Sequence, residues 1–234
     1  MSAEAGIPLP PGEAYRLWAP SYDGENVLSA LDEQAVEALT APLEGLSLLD
    51  AACGTARRLR FPRGTGPRIA VGVDLVLEML LCARGEPSRS RALAACDLRA
   101  LPVAAGVFDV VWCRLAAGHL RHLAPLYAEL ARVTRPGGAV VLTDFHPEAA
   151  RGGHVRSFRD ASGVQHLVEH TVHEIEAHVE AAGAAGLAVE RRLEPAVGPE
   201  VRHLYEESGR LARYERDRGL PLLAAFRYRT REKP

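Results

Sequence analysis

Three aspartates stand at near-regular intervals in the middle of the chain. Asp50, Asp74 and Asp97 are 24 and 23 residues apart, and they fall in the short apolar runs "LSLLDAAC", "RIAVGVDL" and "RALAACDL". A carboxylate at the end of a buried strand is within reach of a ligand, and it suits hydroxyl groups or a cation. After the first of them the chain reads Asp50-Ala51-Ala52-Cys53-Gly54-Thr55, with one glycine. A dinucleotide loop wants Gly-x-Gly-x-x-Gly here, with its acid some twenty residues further on. The glycine pair that would face a pyrophosphate is missing, and an acid occupies the turn itself. That argues against a nicotinamide oxidoreductase. Gly54 removes a Cβ where backbone must pass close to a ligand, and the helix start that follows offers free N–H groups.

Histidines supply the second set of chemical groups. Imidazole titrates near neutrality, so His146, His170 and His173 are candidate general bases for a hydroxyl or amine. His154, His166, His178 and His203 read as surface residues. Neither the histidines nor Cys53, Cys82, Cys96 and Cys113 have the spacing of a metal site, and no metal is expected. Without a CxxC pair, the cysteines read as buried free thiols. Tyr15 and Tyr22 are placed to close over a ligand, Arg16 to meet a ligand carboxylate, and Arg114 to pair with an acidic acceptor or with Asp50.

The elements that must position these groups follow from periodicity. Five short apolar runs, the three above with "VFDVVWCR" and "GAVVLTDFH", alternate with helical windows at 55–61, 75–84 and 123–134. Strands alternating with helices predict a parallel sheet covered on both faces, a Rossmann-like α/β fold. Upstream, Leu28, Leu31, Ala35, Val36 and Leu39 recur at helical spacing. Downstream, "VRSFRDASGVQHLVEHTV" reads as a hairpin turning at "DASG". A helix with Ile175, Val179 and Ala182 inward comes next, then a sixth strand "LAVERRLEP". One charged helix over 198–219 follows, with Val201, Leu204, Leu211 and Tyr214 as its stripe, before a last strand "LPLLAAFRYRT". The expected layout is one domain: an arm and capping helices over 1–45, a ligand-binding core over 46–146, a cap hairpin over 147–172, and the rest of the core over 173–234.

With these residues in order, the chain resembles the class I S-adenosylmethionine-dependent methyltransferases, small-molecule branch. Asp50 to Thr55 resembles motif I, D-x-[GA]-C-G-T-G. "VGVDLVLEML", "ACDLRALPVAAGVFDVV" and "ELARVTRPGGAVVLTDF" resemble the segments that follow, and "YRLWAPSYD" resembles the capping helix. The resemblance covers residues 13–146 well. It implies a seven-stranded, mostly parallel sheet with an antiparallel last strand, and S-adenosylmethionine as cofactor. It places Asp50 at the donor's amino and sulfonium side, Asp74 at the ribose, Met79, Asp97 and Leu98 at the adenine, and His119 in the pocket wall. Ala52, Cys53, Gly54, Leu75, Cys96 and Arg114 are further expected cofactor-binding residues, with Tyr15 and Tyr22 of the capping segment. The chain departs at Ala56, where the family usually has a third glycine. Ala56 is expected at negative φ with its methyl turned away.

Composition narrows the acceptor. The 234 residues are 47% hydrophobic and 25% charged, with net charge −2, and Lys233 is the only lysine. No basic stripe suggests nucleic acid, and Cys113-Arg114-Leu115-Ala116 lacks the (N/D)-P-P-(Y/F) sequence of the amino-directed nucleic-acid enzymes. No apolar run is long enough to span a membrane, and "MSAEAGIPLPPGE" reads as a loose arm, not a secretory signal. The expectation is a cytoplasmic, bacterial methyltransferase (EC 2.1.1.-) acting on a small molecule at O or N before C. A protein that binds the same cofactor without methylating is the alternative.

Overall fold

A computed structural model describes residues 7–62, 65–83 and 91–231. The first six residues of the expected arm, Arg84 at the end of the second helical window, and Lys233 lie outside the described residues.

Seven strands form the central sheet: β1 (Ser47–Ala51), β2 (Ile69–Asp74), β3 (Arg91–Ala95), β4 (Phe108–Arg114), β5 (Thr134–Phe145), β8 (Leu187–Leu193) and β9 (Leu223–Thr230). Their order is β3-β2-β1-β4-β5-β9-β8. The first five strands are parallel neighbours, and β9 runs antiparallel between β5 and β8. The order reverses beside β1, which opens a crevice at the carboxyl ends of β1 and β4. Strand β1 is buried along its whole length, as a central strand covered on both faces must be.

The two faces carry separate apolar clusters. On one, Ala35, Val36 and Leu39 of α2 (Val27–Leu39) pack over Leu48 and Val141. The periodic apolar stripe of α2 is therefore its buried face, and Asn26 with Ser29 closes its first turn as a capping box. On the other face, Leu126, Tyr127 and Leu130 of α4 (Ala124–Val133) and Ile175 and Ala182 of α6 (Ile175–Ala184) pack over Leu49, Val111 and Val140. Burying two faces of one sheet is the main favourable term for such a fold.

A small cap covers the crevice. It is made of α1 (Pro11–Trp18), α5 (Pro147–Arg151) and the hairpin β6 (Ser157–Arg159) and β7 (Gln165–Leu167), which turns at Asp160 to Gly163. Leu9 bridges to Val168, and the Trp18 ring stacks on Phe158 at 4.9 Å.

Four expectations change. The window 55–61 is one 3-10 turn, Arg57–Leu59, and the second window forms only the short α3 (Leu77–Leu81). The segment 198–219 is not one helix but α7 (Arg202–Glu207) and α8 (Leu211–Asp217), broken where Gly209 takes φ +66°. Its stripe is Val201, Tyr205 and Tyr214, and Leu211 is 38% exposed. On α6, Val179 faces out and His178 faces in, because His178 finds polar partners in the core. The cysteines are free, yet only Cys113 is buried.

Candidate active site

The turn after β1 is built by pairing to β2. Ala52 and Cys53 both donate to the Val73 carbonyl, at 2.8 and 2.9 Å. Gly54 N–H donates to Asp74 Oδ2 and Val76 N–H to Asp74 Oδ1, both at 2.9 Å, so one carboxylate pins two turns. This route forces left-handed backbone at three places: Ala52 (φ 69°), Gly54 (φ 58°) and Ala56 (φ 53°). Ala56 therefore does not take the expected negative φ. Its methyl does turn away from the ligand side, into the cluster of Leu48, Leu59 and Leu223. Leu115, after β4, is left-handed too (φ 53°). Each such non-glycine residue costs about 1 kcal/mol or more, and such strain concentrates at functional sites. A Cβ on Gly54 would sit 3.2 Å from both Met79 Cε and Tyr22 Cε1, so the two side chains flank a bare backbone.

Asp50 forms part of the cavity floor. It is 2% exposed, and its Oδ1 has no hydrogen-bond partner among the described residues. Burial raises its pKa to about 6, against the opposing fields of Arg114 and Arg58. An orphaned carboxylate oxygen aimed into a cavity calls for a cation. The ammonium and sulfonium of S-adenosylmethionine meet that demand, so the residues present fit this cofactor.

Two cavities adjoin at the carboxyl edge. The first, about 820 Å³, is bordered by Asp50, Ala52, Cys53, Tyr22, Arg114 and Leu115. The second, about 790 Å³, is bordered by Pro11, His119, Leu167 and His170. Phe145, His154, Val155 and Arg156 belong to both walls. Above them Tyr15 joins cap to core, its hydroxyl 2.9 Å from His119 Nε2 and accepting from Arg156 at 3.0 Å. Burial, with Arg156 and His170 nearby, lowers the His119 pKa to about 3, so its imidazole is neutral and accepts the Tyr15 proton. Burial also raises the Tyr22 hydroxyl pKa beyond the ordinary phenol range.

The remaining nominated residues are placed differently. Asp74, Leu75, Met79, Cys96, Asp97 and Leu98 border neither cavity; Met79 is buried beneath Tyr22, and Leu75 is 60% exposed. Asp97 is held by Arg99, from the backbone at 2.8 Å and the guanidinium at 2.6 Å. Arg114 pairs with Asp32 at 2.7 Å, not with Asp50, and Arg16 pairs with Glu78 at the surface.

The catalytic histidines need correction. His146 caps α5, its Nδ1 accepting from Glu148 N–H at 3.1 Å, and it borders neither cavity. His173 donates through Nε2 to the Leu120 carbonyl at 2.8 Å and also borders neither. His170 does border the second cavity. Its Nε2 lies 3.8 Å from Asp144 Oδ1, and its ring fits against Gly118 only because no Cβ is there. Burial raises the Asp144 pKa, but the adjacent His170 and His178 imidazoles outweigh it and hold this carboxyl below the usual range. His178 is buried, and His154 and His166 lie against Asp217 and Asp160, so none of the three is a free surface residue.

Sequence reading missed Asp32, Asp144 and Arg156. The first two sit in ordinary helix and strand patterns. Arginine is so abundant in this chain that Arg156 gives no signal by type or spacing.

Comparison with known proteins agrees with this fold. Residues 49–142 match the family model described as a methyltransferase domain. The malonyl-[acyl-carrier protein] O-methyltransferase of Pseudescherichia vulneris is 37% identical over 128 residues, covering 53% of this chain and 49% of that protein. The chain thus spans about half the length of the curated relatives it matches. An S-adenosylmethionine-dependent methyltransferase from Mesorhizobium loti superposes with a TM-score of 0.68 at 22% identity, over 86% of this chain and 98% of that one. The [4+2]-cyclase SpnF does so with 0.66 at 19%, over 98% and 100%. At these identities the structural likeness establishes the fold, a seven-stranded Rossmann-like sheet shared by different chemistries. Over residues 49–142, which include the turn that ends in Asp50 and Gly54, the chain is thus similar to methyltransferase domains, and its fold is that of S-adenosylmethionine-dependent methyltransferases.

Proposed function

We propose that this chain is a bacterial, cytoplasmic methyltransferase that methylates a carboxylate oxygen of an acyl group carried as a thioester. The observation that carries the donor half is Asp50, whose orphaned oxygen faces the cavity beside a bare Gly54 backbone. In this reading Asp50 holds the cationic end of the donor, and Asp74 takes the ribose hydroxyls with the oxygen capacity its two backbone bonds leave. Asp97, Leu98 and Met79 take the adenine, with Tyr22 above. When bound, S-adenosylmethionine would supply a methyl group on a cationic sulfur that leaves as a neutral thioether, and a carboxylate acceptor would use a lone pair of its own and surrender no proton.

That last point favours a carboxylate acceptor. A hydroxyl or amine acceptor wants a positioned base. His146 and His173 are committed to the backbone and His119 is neutral but occupied by Tyr15, which leaves His170, beside Asp144, as the one nominated base at a cavity. A carboxylate is ionised at neutral pH and needs none of them. The relatives named for malonyl-[acyl-carrier protein] support the same class, and they replace a free small molecule with an acyl group on a carrier protein as the expected acceptor.

Equilibrium titration with S-adenosylhomocysteine tests the donor half. Wild-type protein is expected to bind it, and Asp74→Asn to bind it about tenfold more weakly through loss of a charged acceptor. Undiminished affinity in a folded Asp74→Asn variant contradicts the assignment.

A further inference from the structure

Arginines surround the first cavity, and most are already satisfied. Arg114 and Arg58 share the Asp32 carboxylate at 2.7 and 3.5 Å, and Arg213 holds Asp217 at 3.1 Å. Arg57 donates to the Asp23 carbonyl, and Arg159 and Arg210 are exposed. Arg156 differs from all of these. It is the arginine common to both cavity walls, and it is partly buried. Its guanidinium has one hydrogen-bond partner among the described residues, the Tyr15 hydroxyl at 3.0 Å. No carboxylate among those residues lies within ion-pair distance of it. Asp144 acts on it only through space, and that carboxylate already accepts from Phe145 N–H at 2.8 Å and lies against His170 and His178.

A guanidinium withdrawn from water without an anion is unfavourable, and it binds a carboxylate strongly through two parallel N–H groups. The surroundings hold this one in place. The Arg156 carbonyl accepts from Val168 N–H at 2.9 Å, which ties its backbone to the cap hairpin. Tyr15, itself fixed by His119, takes one guanidinium N–H and leaves Nε and Nη1 without partners among the described residues. The result is a fixed cationic fork where the donor-side cavity meets its neighbour.

We propose that Arg156, oriented by Tyr15, receives the acceptor's carboxylate and selects free acids over their esters; this rests on the methyltransferase reading above. A carboxylate has two oxygens, so one can be held while the other reacts. The methyl ester carries no charge and loses the ion pair, so the same residue that recruits the acceptor favours release of the product.

The test is a titration of the full chain, saturated with S-adenosylhomocysteine, with S-malonyl-N-acetylcysteamine and with its methyl ester. Wild-type protein is expected to bind the acid at least about tenfold more tightly than the ester. Arg156→Gln is expected to bring that ratio near one while S-adenosylhomocysteine affinity stays within about twofold. Arg156→Lys, which keeps the charge and loses the planar fork, is expected to fall between the two, and it decides the matter should Arg156→Gln not fold. Equal binding of acid and ester by wild-type protein, or an undiminished preference in the folded variants, overturns the proposal. Failure of wild-type protein to bind S-adenosylhomocysteine, read in the same experiment, overturns the methyltransferase reading instead.

Discussion

Asp50 is a carboxylate that burial makes reluctant to ionise, with a pKa of about 6 against roughly 3.9 in an unfolded chain. The sign follows directly. Between those two values the native protein binds more protons than the unfolded chain, so ionising Asp50 costs stability as pH rises through 6. A cationic ligand reverses the preference, because it favours the charged form. S-adenosylhomocysteine affinity should therefore fall as pH drops below 6, approaching tenfold per unit, and Asp50→Asn should both weaken binding and flatten the profile; calorimetry between pH 5 and 7 reads both. A flat wild-type profile contradicts the role given to Asp50. At Ala56 the argument concerns backbone. Ala56→Gly relieves a left-handed residue and should stabilise the fold by up to about 1 kcal/mol in urea unfolding. A loss of stability would show that the methyl's packing outweighs the strain. The identity of both residues stands out in the sequence. The φ of Ala56 does not, because it is imposed by the pairing of Ala52 and Cys53 to β2, far away in the chain.

At the scale of elements, resemblance and function separate. Phe108-Asp109 is part of the pattern that marks the chain, yet Asp109 lies at the amino end of β4, opposite the cavities. It accepts from Ser47 N–H at 2.7 Å and from the Ser47 hydroxyl at 2.6 Å, and it pairs with Arg135. It pins β1 to β4. Asp109→Ala should cost about 2 to 3 kcal/mol of stability while leaving S-adenosylhomocysteine affinity in the folded protein unchanged, as thermal unfolding and titration would measure. A large loss of affinity in the folded variant would place Asp109 in the site. Strands β1 to β5 are legible as short apolar runs, which β1 and β4 owe to burial on both faces although the edge strand β3 has no buried residue, and α2 because one face repeats at helical spacing. The inward turn of His178 is not legible. Its partners are Tyr127 on α4 and Asp144 on β5, and no local pattern announces a polar contact made across the core. The break between α7 and α8 was signalled only by Ser208-Gly209, which a charged, helix-favouring context concealed.

For the molecule as a whole, the sheet is legible in the sequence, as is the turn proposed for the donor, and the side proposed for the acceptor is not. The proposed donor edge is made by strand ends and one turn, whose residues are typed by their chemistry. The proposed acceptor side is made where the cap hairpin, α1 and the ends of β4 and β5 converge, and its side chains are brought together by tertiary packing. Of the three histidines nominated there as bases, His146 is a helix cap, His173 a backbone donor and His170 borders the second cavity, while an arginine with no sequence signal occupies the junction. Among the described residues no helix is long and apolar enough to cross a membrane, and no group of side chains is arranged to hold a metal ion. The central claim is methyl transfer to an acyl carboxylate. Its most direct measurement incubates the full chain with methyl-labelled S-adenosylmethionine and a malonyl thioester, and follows the label by mass spectrometry before and after mild base. The account predicts a methyl ester that base removes, formed one for one with S-adenosylhomocysteine. Protein that binds S-adenosylhomocysteine yet leaves the thioester unlabelled, or labels it with a base-stable methyl group, would contradict it.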